Sequence, residues 1–192
     1  MKRMVWMNKS NGQLCVTIPK NLGIKEREIV SVKKEKINKI VYSVVTGDLF
    51  HYGHLILLQN ANNLGNFHIC GVLTNDAIKR YKEGPIADLK EREAIISSLT
   101  CVDMIMTQDD LDPTKNLEKI HKQFKHAKII LVFGSNWKKV PGAEYIKKIK
   151  GKIVQPLFYE KLSTEKILKK IFKFYKGRKR KDEGHNISSG SK

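Results

Sequence analysis

Apolar runs alternate with mixed segments from residue 39 onward, and the two kinds of segment carry different periods. Lys39–Thr46, Phe67–Thr74, Val102–Thr107, Lys128–Gly134 and Lys152–Leu157 are short and nearly all apolar. That is the composition of strands covered on both faces. Between them, His54–Leu64, Asn75–Tyr81, Lys90–Leu99, Thr114–His126 and Ala143–Ile149 place apolar residues at helical spacing, and a last helix runs from Ser163 to about Tyr175. Strands that alternate with helices predict a parallel sheet covered on both sides. The expected fold is α/β, a doubly wound, five-stranded, Rossmann-like domain over residues 37–176. In such sheets a ligand binds at the carboxyl ends of the strands, beside the point where the strand order reverses.

The first 36 residues follow a different pattern. Leu14–Ile18 reads as a short strand behind a turn at Ser10-Asn11-Gly12, and Glu28–Val32 reads as a second. A unit this small does not bury an adequate core alone, so it must pair with a second copy or dock on the rest of the chain. Gly12-Gln13, Val16-Thr17-Ile18-Pro19-Lys20 and Leu22-Gly23-Ile24-Lys25-Glu26 resemble the AbrB/SpoVT-type swapped-hairpin domain. The resemblance implies a homodimer and a possible DNA contact through residues 1–36. Arg27 stands where that family usually has a turn glycine. At the other end, residues 177–192 are polar, carry Arg178-Lys179-Arg180-Lys181, and are expected to be a disordered basic tail.

Composition narrows the class. The 192 residues are 41% hydrophobic and 29% charged, and no apolar run is long enough to span a bilayer. Met1–Trp6 lacks the apolar stretch of a signal peptide. The three cysteines, Cys15, Cys70 and Cys101, form no CxxC pair, so neither a zinc site nor a disulfide framework is indicated. A cytoplasmic location is the expectation. A net charge of +18 attracts anions such as nucleotides, nucleic acid and acidic headgroups without choosing among them.

Candidate chemistry gathers where the first long strand ends, at Thr46-Gly47-Asp48-Leu49-Phe50-His51-Tyr52-Gly53-His54. A strand, a glycine-containing turn and a helix start form a ready phosphate site. Gly53 lets the backbone approach a ligand. His51 and His54 can converge on one phosphate with the helix N-terminus. Taken alone, the string is equally open to chance occurrence or a metal-ligand reading, and the metal reading is disfavoured because no further Cys/His cluster stands near it in sequence.

Four more blocks follow in order: Gly71-Val72-Leu73-Thr74-Asn75-Asp76; Lys82-Glu83-Gly84-Pro85 with Glu91-Arg92 and Val102-Asp103; Phe133-Gly134-Ser135-Asn136-Trp137; and Leu162-Ser163-Thr164-Glu165-Lys166-Ile167. Together with the histidines they resemble the HxGH nucleotidyltransferase superfamily and, within it, the cytidylyltransferases. The resemblance implies that His51, His54 and Lys82 are catalytic. It implies that Thr46, Gly47, Asp48, Gly53, Gly134, Asn136, Trp137, Ser163 and Thr164 hold the nucleotide, and that Lys82 and Arg92 meet the acceptor. It further implies CTP as donor, a small phosphorylated or phosphonate acceptor, and Mg²⁺ arriving with the triphosphate.

Departures from the family pattern limit these implications. Val45 replaces the family's first glycine, and Ser135-Asn136 replaces two acidic residues that bear on base selection. The arginine usual before the Ser-Thr motif is missing, which leaves Lys161 to supply its charge. Two other functions stay open: an ATP-dependent adenylyltransferase of the FAD synthetase type, and a DNA-binding dimeric regulator that senses a nucleotide. Asp48 would serve equally well as a brace for its turn, Arg92 as a partner of Glu91 or Glu93 on a solvated helix, and Ser163 as a plain N-cap.

Overall fold

The computed structural model describes residues 5–7, 10, 14–16, 23, 25, 36–135, 137–157 and 159–186. Two short strands, β1 (Val5–Met7) and β2 (Leu14–Val16), pair antiparallel with Trp6 opposite Cys15. The strand expected at Glu28–Val32 lies outside the described residues, as does most of the segment that resembles a swapped hairpin.

The main sheet comprises β3 (Lys39–Val45), β4 (Phe67–Leu73), β5 (Met104–Gln108), β6 (Lys128–Val132) and β7 (Lys152–Val154). Its order is β5-β4-β3-β6-β7 and every pairing is parallel. The chain winds outward from β3 to β5, then returns to β3's other side to lay down β6. The order therefore reverses between β3 and β6, where the carboxyl ends of neighbouring strands open a crevice. The doubly wound architecture expected from the sequence is the one observed.

Side-chain alternation along β3 builds both halves of the core. Ile40, Tyr42 and Val44 join Ala77 and Ile78 of α2 (Asn75–Lys79), Leu117 and Ile120 of α4 (Thr114–Gln123) and Ile146 of α5 (Ala143–Lys148). On the other face, Val41 packs with Ala61, and Val45 with Leu58, both from α1 (Tyr52–Asn62); Ile96 of α3 (Leu89–Ser97) joins Val45. Fully burying each of these Leu and Ile side chains is worth roughly 1.5–3 kcal/mol, so the sheet position of β3 is strongly held. Gly65 allows the turn from α1 into β4 to press against β3. A Cβ there would lie 2.6 Å from both the Lys39 carbonyl oxygen and Val41 Cγ2.

Boundaries differ from the sequence pattern for identifiable reasons. β7 stops at Val154 rather than Leu157 because Pro156 has no N–H to continue the ladder, although its carbonyl still accepts from the Ser135 amide. The apolar pattern of β5 begins at Val102, but the strand starts at Met104: at Asp103 the carboxylate takes the place of a backbone carbonyl, accepting from the His68 amide at 2.8 Å, while the Asp103 amide donates to the His68 carbonyl at 2.9 Å. The last helix, α6, is helical from Thr164 to Asn186, past the expected end near Tyr175. Its two glycines, Gly177 and Gly184, are tolerated within a run rich in Lys and Arg, which are good helix formers.

Candidate active site

The turn after β3 is shaped by its own side chains before any ligand is considered. Gly47 takes a left-handed φ of 72°, and a Cβ on it would meet Ile96 Cδ1 at 2.7 Å. Its requirement is thus conformational and steric, against α3 rather than against a nucleotide. Asp48, almost fully buried, accepts from the Ile86 amide at 3.1 Å and the Ala87 amide at 3.0 Å through Oδ1. The carboxylate pins the loop that follows Lys82 onto the β3 turn.

His51 is the N-cap of α1, and its Nδ1 accepts from the Gly53 amide at 3.1 Å. His54, three residues on, accepts from the His51 amide through its own Nδ1 at 3.4 Å. The two rings stack with centroids 4.0 Å apart. An Nδ1 that accepts a hydrogen bond from an amide carries no proton, so in the neutral ring the proton sits on Nε2. Both histidines therefore offer an Nε2–H donor. Burial keeps them neutral. It lowers the pKa of His51, and it lowers that of His54 to about 4, with the neighbouring His51 and Lys82 pushing the same way and Asp48 opposing. Gly53 is needed here, because a Cβ would sit 2.9 Å from His51 Cε1. Histidine is not among the usual N-cap residues, which is why the sequence pattern started this helix two residues late, at His54.

These donors open on a cavity of about 430 Å³ at the reversal point of the sheet. Of the sequence-derived candidates, Thr46, His51, Gly53, His54, Lys82, Gly134, Trp137, Ser163 and Thr164 all line it. Trp137 meets Phe133 edge-on at 5.6 Å between ring centroids. The turn that carries Gly134 and Trp137 is tied down by Gln155, whose Nε2 donates to both carbonyls, at 3.2 and 2.8 Å. On the opposite wall, the Ser163 hydroxyl accepts from the Lys166 amide at 3.2 Å and caps α6, while the Thr164 hydroxyl donates to the Asp48 carbonyl at 3.3 Å. Asn136 lies outside the described residues.

Gly47, Asp48 and Arg92 do not line the cavity. Arg92 requires a correction of role. It is fully buried, and its guanidinium donates to the carbonyls of Ala87 (3.1 Å), Thr46 (2.6 Å) and Leu73 (2.7 Å) and to Asn75 Oδ1 (2.7 Å). With those donors spent on three backbone carbonyls and the Asn75 amide oxygen, it clamps the ends of β3 and β4 to α3 and has no face for an acceptor phosphate. Nor is it on a solvated helix face, since the Glu91 side chain caps the Asp88 amide instead.

Sequence reasoning missed several walls of the cavity. Tyr159 lines it where the family's arginine would be, braced edge-on by Tyr52 at 5.1 Å, whereas Lys161, expected to supply that charge, does not. Leu73, Leu111 and Glu165 also line it. Leu111 is placed by Tyr81, whose hydroxyl donates to Asp110 at 2.8 Å and accepts from the Leu111 amide at 3.1 Å. Only a pattern spanning residues 80–111 would have signalled this.

A parallel sheet with a crevice of about 430 Å³ at its reversal point, walled by two helix N-termini and paired imidazole donors, defines a nucleotide-handling α/β domain. The comparisons narrow it. Residues 46–172 match the family described as cytidylyltransferase-like, and the chain belongs to that family. Among curated proteins it is similar to the bifunctional protein HldE of Helicobacter pylori strain P12, at 33% identity over 137 residues (69% of this chain, 28% of that protein). It is also similar to HldE of Geotalea uraniireducens, at 29% over 147 residues (74% and 29%). The chain thus spans under a third of the length of these relatives. Among solved structures it resembles the lipopolysaccharide core biosynthesis protein of Thermoplasma volcanium, with a TM-score of 0.52 and 25% identity, covering 64% of this chain and 98% of that one.

Proposed function

We propose that the chain is a nucleotidyltransferase that moves CMP from CTP to a small phosphorylated or phosphonate acceptor and releases pyrophosphate. The observation that carries this reading is the pair of neutral histidines whose Nδ1 atoms are fixed by backbone amides, leaving two Nε2–H donors on one cavity with Lys82 and the start of α6. An acceptor oxygen attacks the α-phosphorus, the bond from that phosphorus to the bridging oxygen breaks, and pyrophosphate leaves. Charge builds on the α-phosphate oxygens and the leaving oxygen, and donors placed in advance stabilise it without reorganising.

His51 and His54 donate to the α-phosphate. Being neutral, they supply directional hydrogen bonds without taking part in proton transfer. Lys82, a mobile point charge, balances the α-phosphate and the acceptor's anion. The Thr164 and Glu165 amides, which have no acceptor within their own helix, suit the β- and γ-phosphates together with the hydroxyls of Ser163 and Thr164. Trp137 with Gly134 forms the wall for the base. Mg²⁺ is a hard cation that takes one or two carboxylates, phosphate oxygens and water. Among the described residues Glu165 is the carboxylate lining the cavity, and it would hold an ion that screens the triphosphate. The homodimer and the DNA contact proposed for residues 1–36 rest on the sequence resemblance.

The test is a pyrophosphate-release screen of the four nucleoside triphosphates against phosphorylated alcohols, amines and sugars. CTP should give turnover with at least one acceptor, and His51→Ala should cut kcat by about 10²–10³, as loss of a preorganised donor does. Turnover with ATP alone would replace CMP by AMP in the same chemistry. Unchanged turnover in His51→Ala would remove the catalytic reading.

A further inference from the structure

The α6 helix carries an apolar stripe that the α/β domain does not cover. Leu168, Ile171, Phe172 and Tyr175 fall at i, i+3, i+4 and i+7, so they share one face. They are 42%, 56%, 59% and 61% exposed, and they line one shallow surface depression together with Lys169. Lys169 and Lys176 flank this stripe on one side, while Lys166, Lys170 and Lys173 lie on the opposite arc of the same turns. Lys176 reaches back over the Phe172 ring, with Nζ 4.6 Å from its centroid, as a lysine does when its stem covers apolar surface and its head stays in water. Residues 164–186 hold nine Lys and Arg against three Asp and Glu, and Arg178-Lys179-Arg180-Lys181 continues the helix.

We propose that this face of α6 docks on an anionic lipid surface. Charge decides between the occupants. A second copy of the helix would bring another strongly positive surface against the first. Nucleic acid would satisfy the lysines but offers nothing apolar to Leu168, Ile171 and Phe172. An acidic bilayer surface supplies both partners at once: hydrocarbon at the headgroup boundary for the stripe and negative charge for the flanking lysines and the basic run. Among the described residues no helix is long and apolar enough to cross a membrane, so the helix would lie on the surface. The inference stands apart from the proposed chemistry, although the helix concerned begins in the cavity wall at Thr164.

The experiment uses the full chain and vesicles of phosphatidylcholine with or without an equal part of phosphatidylglycerol. Flotation should recover the protein with the mixed vesicles and not with pure phosphatidylcholine, and recovery should fall as salt rises. The Phe172→Trp variant should show a blue-shifted emission on the mixed vesicles. The doubly substituted Ile171→Glu, Phe172→Glu protein, checked for an unchanged thermal midpoint, should bind at least about tenfold more weakly, since it loses two large anchors and gains two negative charges. Three results would overturn the proposal. They are equal binding by the double variant, no vesicle binding together with a DNA shift that the double variant retains, and a wild-type dimer that the double substitution splits without vesicle binding by either protein.

Discussion

Replacing Arg92 by lysine separates a structural clamp from an acceptor ligand. The guanidinium reaches four acceptors in different directions: the carbonyls of Ala87, Thr46 and Leu73, and Asn75 Oδ1. A lysine keeps the charge but donates from a single nitrogen, which cannot span that set and holds two of the four at best. A hydrogen bond from a charged donor contributes about 1.5–3 kcal/mol. Losing two, with buried carbonyls left unmet, should cost roughly 3–6 kcal/mol. Against a typical domain stability of about 5–15 kcal/mol this is a large fraction, and it should lower Tm by roughly 10 °C. The assay is urea unfolding followed by far-ultraviolet circular dichroism, with KM measured on the same preparation below its unfolding range. The expected result is a marked fall in the unfolding midpoint and a KM for the acceptor within about threefold of wild type. A midpoint that stays put while the acceptor KM rises more than tenfold would refute the clamp and return Arg92 to the acceptor.

Three further outcomes follow from the same geometry. His54 is buried neutral, with its pKa lowered from 6.5 to about 4. The unfolded chain therefore binds the extra proton between those values, and stability present above pH 6.5 should be lost as pH falls toward 4. At about 1.4 kcal/mol per pH unit, roughly 2 kcal/mol should go between pH 7 and pH 5, and His54→Asn should flatten that part of a urea-unfolding profile. Gly65→Ala places a methyl 2.6 Å from the Lys39 carbonyl oxygen, and calorimetry should show a loss of about 1–3 kcal/mol; an unchanged thermal midpoint would contradict the packing described for that turn. Ser163→Ala removes the cap of α6 and should cost about 1 kcal/mol of stability, while raising the KM for the triphosphate more than that for the acceptor in initial-rate measurements.

The layered sheet was legible because β3, β4 and β6 are buried on both faces and their composition says so directly. The site was legible where it is local: His51, Gly53 and His54 lie within one turn, and Ser163-Thr164 opens one helix. What escaped depends on long-range pairing. Arg92 looks like a surface residue in Glu91-Arg92-Glu93, and only the fold reveals that Thr46, Leu73 and Ala87 turn their carbonyls toward it. Asp48 reads as a ligand by its place in the motif, yet its partners are amides of Ile86 and Ala87 on a distant loop. Tyr159 carries no motif at all and reaches the cavity through its packing on Tyr52. The exposed stripe of α6 was present in the sequence as period, but a helical apolar stripe reads as core until its exposure is known.

The proposed chemistry turns on which phosphorus is attacked. With CTP labelled at the α-phosphate, the account requires label in the organic product. With CTP labelled at the γ-phosphate, it requires all label in pyrophosphate, and both transfers should fall together in His51→Ala. Transfer of the γ-label to the acceptor would make the chain a kinase. Release of the α-label only as free CMP would make it a hydrolase. Either result would contradict nucleotidyl transfer at this cavity.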